Sequence, residues 1–271
     1  MLKLWLNRNL SEITFDMVDR KHKELANEIG PSTANLAMRV LRIVWNYAAD
    51  RSTLPECPVS RLKKRWYEEP RRTRHVAFEQ LPQFYRAVSA IENGAARDYI
   101  LLLLFTGMRR REAAGLRWTH VDLVQKIIRL PAEVTKAKRA LVLPMSTFLY
   151  ELLVRRRAAG AASPFVFPGP GKTGHITSAD KPLRDIALAT GIEVSCHDLR
   201  RTFASVAADT PEISWLALKL MLNHTTRGDV TAGYVQISTE QLRAAVQRVT
   251  DTMIRLCEVQ PIVEGNVARL R

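Results

Sequence analysis

Apolar side chains recur at helical spacing through most of this chain, and only near its middle does the period shorten. Thr14 can cap a helix whose apolar positions Val18, Leu25 and Ile29 recur at that spacing, and Gly30 marks its end. Pro31 and Ser32 open a second helix that carries Leu36, Val40, Val44 and Tyr47 on one face. Two helices enclose little volume, so either the module continues through residues 58–67 or a partner surface completes it. Leu81, Phe84, Tyr85, Val88 and Ile91 mark a further amphipathic helix. The nearly continuous apolar run at 99–105 predicts a helix buried on several sides, which Gly107 stops before a helical pattern resumes at 111–116. The stretches 127–130 and 141–143 are short and rich in β-formers, separated by the basic turn TKAKR, and predict a small hairpin or part of a small sheet. Helical patterns return at 147–157, 179–189, 198–208, 213–222 and 239–256. The last carries Leu242, Val246, Val249 and Met253, a face that covers its own domain or docks on a neighbour. The expected fold is mainly α with a small antiparallel β-sheet.

The stretch EEPRRTR, residues 68–74, interrupts the pattern as an exposed basic linker. It divides the chain into a helical module at 1–70, a linker at 71–76 and a larger domain at 77–271. Charge then narrows the partner. Forty-one Lys and Arg against 27 Asp and Glu give a formal charge of +14, which suits a polyanion or a negatively charged surface. Cys57, Cys196 and Cys257 are odd in number and far apart, against a disulfide framework or a cysteine-rich metal site. The longest uniformly apolar run, 100–105, is far too short to cross a bilayer, and no secretory signal pattern opens the chain, so a cytoplasmic location without membrane partners is expected.

Four segments carry candidate chemistry: TGMRRRE around Arg109, TKAK around Lys136, HDLRRT from His197, and LNHTTRGDVTAGY from Leu222 to Tyr234. Together they supply what a phosphodiester transfer without metal or cofactor requires. Arg109 and Arg200 can point paired N–H groups at the nonbridging oxygens, neutralising charge as it develops. Tyr234 can attack phosphorus once its phenol loses a proton. His197 is the candidate acceptor and His224 the candidate phosphate ligand, an assignment that can be exchanged. A lysine on a short turn can protonate the leaving oxygen, either Lys136 or Lys138. Glu112, three residues after Arg109, has no proton-transfer task but can brace a guanidinium. Arg71, Arg72, Arg74, Lys138, Arg139 and Arg201 are candidate DNA contacts. His22, His75, His120 and His175 lack such company and are expected to be structural, and no histidine cluster or aspartate pair suits a catalytic metal.

These motifs resemble those of the tyrosine recombinases, especially phage-type integrases of prophages and genomic islands, over about residues 76–250. TGMRRRE is similar to the first arginine box, HDLRRT to the His-x-x-Arg box, and LNHTTRGDVTAGYV to the segment with the last histidine and the tyrosine. Lys136, placed ahead of LVLP, matches the hairpin lysine. The resemblance implies a recombinase catalytic domain and a separate helical core-binding domain of SAM-like type. It implies strand cleavage through a 3′-phosphotyrosine with a free 5′-hydroxyl, resealing without ATP or metal, and four protomers on double-stranded attachment or core sites. Accessory DNA-bending or excision factors belong to the same expectation.

Two departures from the family pattern stand out. Leu222-Asn223-His224 replaces the usual Leu-Gly-His, and ten positions rather than nine lead from His224 to Tyr234. The N-terminal module also starts almost at Trp5, so a shortened core-binding domain is expected. The competing readings are a type IB topoisomerase-like enzyme and a DNA-binding remnant that does not recombine.

Overall fold

The computed structural model describes residues 2–69, 73–160, 162–223 and 237–259. The chain divides into two compact units, Met1–Arg72 and Thr73–Arg271.

In the first unit, α1 (Phe15–Glu28) begins at Thr14, whose hydroxyl accepts a hydrogen bond from the Met17 amide, and α2 (Pro31–Ala49) begins with proline in its first turn. Between them Gly30 adopts φ +125°, a conformation that favours glycine. The helices close on Val18, Leu25, Ala34, Ala37, Met38, Leu41 and Trp45. The 3-10 turns of Pro58–Arg65 add Val59 and Leu62, so the module does continue through this stretch. Inside it, buried His22 meets the Asn35 side chain at 2.9 Å, a structural role.

The face of α2 singled out by periodicity is the wrong one for the core. Leu36, Val40, Val44 and Tyr47 do share a side, but they are exposed, as is Ile29. Apolar residues occupy much of the circumference of α2, so spacing alone does not choose a face. The small side chains of Ala34 and Ala37 let α1 approach closely, and the wider Met38, Leu41 and Trp45 fill the rest.

The second unit is built around α4 (Gly94–Thr106), where every residue from Asp98 to Thr106 is buried. Asn93 caps its start, and Gly107, in the left-handed conformation, ends it. Against α4 pack α3 (Leu81–Ser89), α5 (Arg110–Ala114), α6 (Thr147–Ala158) and α8 (Cys196–Asp209), with α7 (Asp180–Thr190) against α3 and α9 (Trp215–Met221) against α8. Phe84, Tyr99, Phe105, Phe167, Leu199 and Phe203 are among the large side chains of one continuous core. The two β-rich stretches are part of a small sheet, whose third strand the sequence pattern does not locate. The order is β1 (Val121–Asp122), β2 (Ile127–Leu130), β3 (Leu141–Pro144), antiparallel throughout, with Val121 opposite Ile128 and Leu130 opposite Leu141. A two-residue strand is too short to show alternation.

The last helix, α10 (Thr239–Leu256), docks on its own unit. It lays Leu242, Val246, Val249 and Met253 on the core against β3, α8 and α9, and Gln247 accepts from the Thr147 amide at 2.9 Å. All three cysteines are buried and free. Among the described residues no helix is long and apolar enough to cross a membrane. His75, His120 and His175 each have a polar partner within three residues in the chain, which accounts for them structurally.

Candidate active site

Two tight backbone events place the two arginines. The left-handed turn at Gly107 ends α4 and releases an extended segment, so Arg109 stands at the N-cap of α5. Ser195 opens α8 through a capping box with Asp198, which sets His197 in the first turn and Arg200 one turn later on the same side of the helix. A cleft of about 750 Å³ collects Arg109, Glu112, Lys136, Lys138, His197 and Arg200.

Both guanidinium groups are anchored by backbone carbonyls. Arg200 donates to the Gly107 carbonyl at 2.5 Å and to the Leu222 carbonyl at 2.6 Å. Arg109 donates to the Asn223 carbonyl at 3.0 Å and to Glu112 Oε1 at 3.2 Å. Leu222 and Asn223 end α9 and immediately precede His224 in the sequence. The same residues that are candidates for phosphate recognition therefore also hold the turn leading to His224 and Tyr234. His224 and Tyr234 themselves lie outside the described residues.

Arg200 is buried, and that burial, followed by the nearby positive charge of Arg109, lowers its pKa to about 10; the Glu112 carboxylate acts the other way. It still carries its charge at neutral pH, beside a second cation, so the cleft favours an anion between them. His197 is exposed at the mouth. Partial loss of hydration, then the charges of Arg201 and Arg200, hold its pKa below the ordinary 6.5 against an opposing pull from Asp198. Its imidazole is neutral at physiological pH and able to accept a proton.

Glu112 is buried, and its Oε1 accepts both from Arg109 and from the Lys136 amide at 3.0 Å, tying the lysine-bearing turn to the arginine. Its Oε2 has no hydrogen-bond partner among the described residues. Lys136 and Lys138 are both exposed at the cleft, and Lys138 adopts φ +53°.

The remaining basic candidates divide. Arg201 donates to Asp198 at 2.6 Å, and Arg74 reaches the same carboxylate at 3.3 Å and Glu193 at 3.4 Å. Buried Asp198 would ordinarily have a raised pKa, but the Ser195 amide and hydroxyl and these two arginines bring it below the usual carboxylate value. Arg139 is exposed beside the lysine turn, and Arg71 and Arg72 lie outside the described residues. The Val76 amide donates to Thr202 on α8, so residues 74–76 are docked on the helix that carries His197 and Arg200. Asp198 and Asn223 are the residues that sequence reasoning passed over. The first was hidden inside the HDLRRT motif, and the second was visible only as a departure from Leu-Gly-His.

A mainly helical unit with a small sheet thus carries a cationic cleft lined by two arginines, a site whose charge favours an anion. The chain belongs to the phage integrase family, whose sequence profile matches residues 74–241. Prophage integrase IntZ of Escherichia coli K12 is 28% identical over 247 residues, covering 87% of this chain and 58% of that protein. Prophage integrase IntF of the same strain is 32% identical over 138 residues, covering 48% and 28%. This chain thus aligns with little more than half the length of IntZ. Among solved structures, a lambda integrase tetramer bound to a Holliday junction superposes with a TM-score of 0.62 at 18% identity, covering 84% of this chain and 68% of that one. The Tn1549 transposon integrase in complex with circular intermediate DNA gives 0.63 at 16%, covering 87% and 85%. At that identity the likeness shows the fold.

Proposed function

We propose that this protein is a site-specific DNA recombinase that cuts and rejoins double-stranded core or attachment sites through a 3′-phosphotyrosine on Tyr234, without metal or ATP. The observation that carries this reading is the pairing of Arg109 and Arg200 across one cleft, with both guanidiniums gripping the turn that enters the His224 and Tyr234 segment. In the forward step the phenolic oxygen forms a bond to phosphorus and the bond to the 5′-oxygen breaks. Arg109 and Arg200 neutralise the nonbridging oxygens, His197 takes the phenolic proton, and Lys136 gives a proton to the leaving oxygen. His224 completes the phosphate pocket, and Lys138, Arg139, Arg71 and Arg72 track the backbone. Arg74 and Arg201 can add phosphate contacts only in competition with Asp198. The first unit acts as the core-binding domain. DNA brings four copies together in the cytoplasm, with bending or excision factors as accessory partners.

A randomised core lets the protein select its own site. The protein is incubated in EDTA with nicked duplexes bearing such a core, then denatured, and protein joined to a DNA 3′ end is recovered and sequenced. A consensus among the recovered cores supports the proposal, and folded protein that yields no adduct overturns it.

The proposed roles also set a pH profile. A base whose folded pKa lies below 6.5 is active above that pKa and is lost as pH falls through it. Adduct formation is expected to fall in acid with a midpoint below pH 6.5, because the lowered pKa keeps the base free above it. A midpoint above about pH 7 would show that some other group takes the proton.

A further inference from the structure

Asn223 stands just beyond the Leu222 cap of α9 with φ +46°, its amide donating to the Leu220 carbonyl. Glycine or asparagine commonly occupies such a helix-ending position, because either tolerates the left-handed conformation. The backbone therefore does not require a side chain here. The asparagine nevertheless uses its side chain: Nδ2 donates to the Arg139 carbonyl at 3.4 Å, across a gap of 84 positions in sequence, while the residue as a whole is nearly buried.

That bond closes a ring. Arg109 donates to Glu112, Glu112 accepts the Lys136 amide, the turn runs on to Arg139, the Arg139 carbonyl accepts from Asn223, and the Asn223 carbonyl accepts from Arg109. Residues 136–140 contribute nothing to the apolar core, and the inner anchor of the turn is Thr135, buried and bonded to both the Arg139 amide and its carbonyl. An exposed turn with so little packing belongs to the least stable part of a fold, so single hydrogen bonds set how often it occupies one geometry.

We infer that Asn223 is a positioning residue that braces the lysine-bearing turn against the arginine cluster, holding Lys136 where it can protonate the leaving oxygen. This rests on the recombinase reading above. The ring couples the turn that delivers the acid to the turn that leads to the nucleophile, and Arg109 lies between them.

The test compares the natural chain with Asn223→Gly, which keeps the backbone conformation and removes the brace, and Asn223→Asp, which keeps the size but sets a carboxylate against the Arg139 carbonyl. Each is given two nicked duplexes on the recovered core, one with the normal 5′-oxygen leaving group and one with sulfur in its place. The P–S bond breaks to release a thiolate that needs no proton, so that substrate bypasses the acid.

Both variants are expected to form adduct on the oxygen substrate about tenfold more slowly than the natural protein. On the sulfur substrate they should stay within about twofold of it. Amide exchange at Lys138 and Arg139, read by hydrogen exchange on the free protein, should quicken by roughly fivefold to tenfold. Equal slowing on both substrates, or no slowing on either, would overturn the inference, as would unchanged exchange at the turn. If the natural protein makes no adduct with either substrate, the recombinase reading fails, and the exchange measurement still decides whether the brace exists.

Discussion

Tyr234→Phe is expected to abolish the covalent adduct on nicked core DNA while leaving DNA binding within about twofold of the natural protein. The substitution removes one oxygen and nothing else of the ring's size or shape, so the change in packing is small. Without that oxygen the ring can form no bond to phosphorus, and the other hydroxyl and thiol groups lining the cleft are committed elsewhere: Ser195 donates to Asp198, Thr135 donates to the Arg139 carbonyl, and Cys196 is buried with its thiol pKa raised by that burial. Arg109, Arg200 and Lys136 can hold and polarise a phosphate, but they act as hydrogen-bond donors and not as nucleophiles. The measurement is the denaturation-resistant adduct and, separately, retention of the uncut duplex by gel shift. A Tyr234→Phe protein that still forms a 3′ adduct would move the nucleophile elsewhere in the chain. A variant that lost binding and adduct equally would mark Tyr234 as a contact residue.

Gly107→Ala is expected to lower the melting temperature by about 10 °C and to lower cleavage further than the loss of folded protein explains. Two costs add. A residue with a Cβ at φ +61° carries left-handed strain of roughly 1–2 kcal/mol. The new methyl would also lie 2.5 Å from Cδ1 of Phe203 and 3.0 Å from Cδ2 of Leu222, both buried, and relieving such an overlap costs about 1–3 kcal/mol. For a unit of this size each kcal/mol shifts the midpoint by roughly 2–4 °C. The effect on chemistry follows from position. The Gly107 carbonyl accepts one of the Arg200 hydrogen bonds and the Leu222 carbonyl accepts the other, so a methyl that pushes on Leu222 disturbs both ends of that guanidinium's support. Calorimetry on the full chain and adduct formation well below the new midpoint check the two parts. A midpoint within a degree of the natural protein would show that the turn at Gly107 relaxes freely.

Much of the fold was legible because its helices obey local rules. Gly107 ends α4 as its conformational freedom allows, and the nearly continuous apolar stretch 99–105 is buried as its composition requires. Asn35, Thr202 and Gln247 were not legible, since each finds its partner across the tertiary structure: Asn35 with His22 and residues 67–69, Thr202 with Val76, Gln247 with Thr147. The exposed stripe of Leu36, Val40, Val44 and Tyr47 is the instructive failure. Helical spacing reports that apolar residues share a side, but which side is buried depends on the neighbour, and α1 selects the face where alanines permit close approach.

The amino-acid sequence by itself determined the inventory of reactive groups and their order, because arginine, lysine, histidine and tyrosine at these spacings carry their chemistry with them. It also determined the helix ends, since caps and left-handed turns are properties of a few adjacent residues. Only the tertiary structure decided that the Gly107 and Leu222 carbonyls would clasp Arg200, that Asp198 would hold Arg74, and that Asn223 would reach the lysine turn. Those bonds join groups far apart in the chain, and their geometry exists only once the core around α4 has brought α5, α8, α9 and the hairpin together.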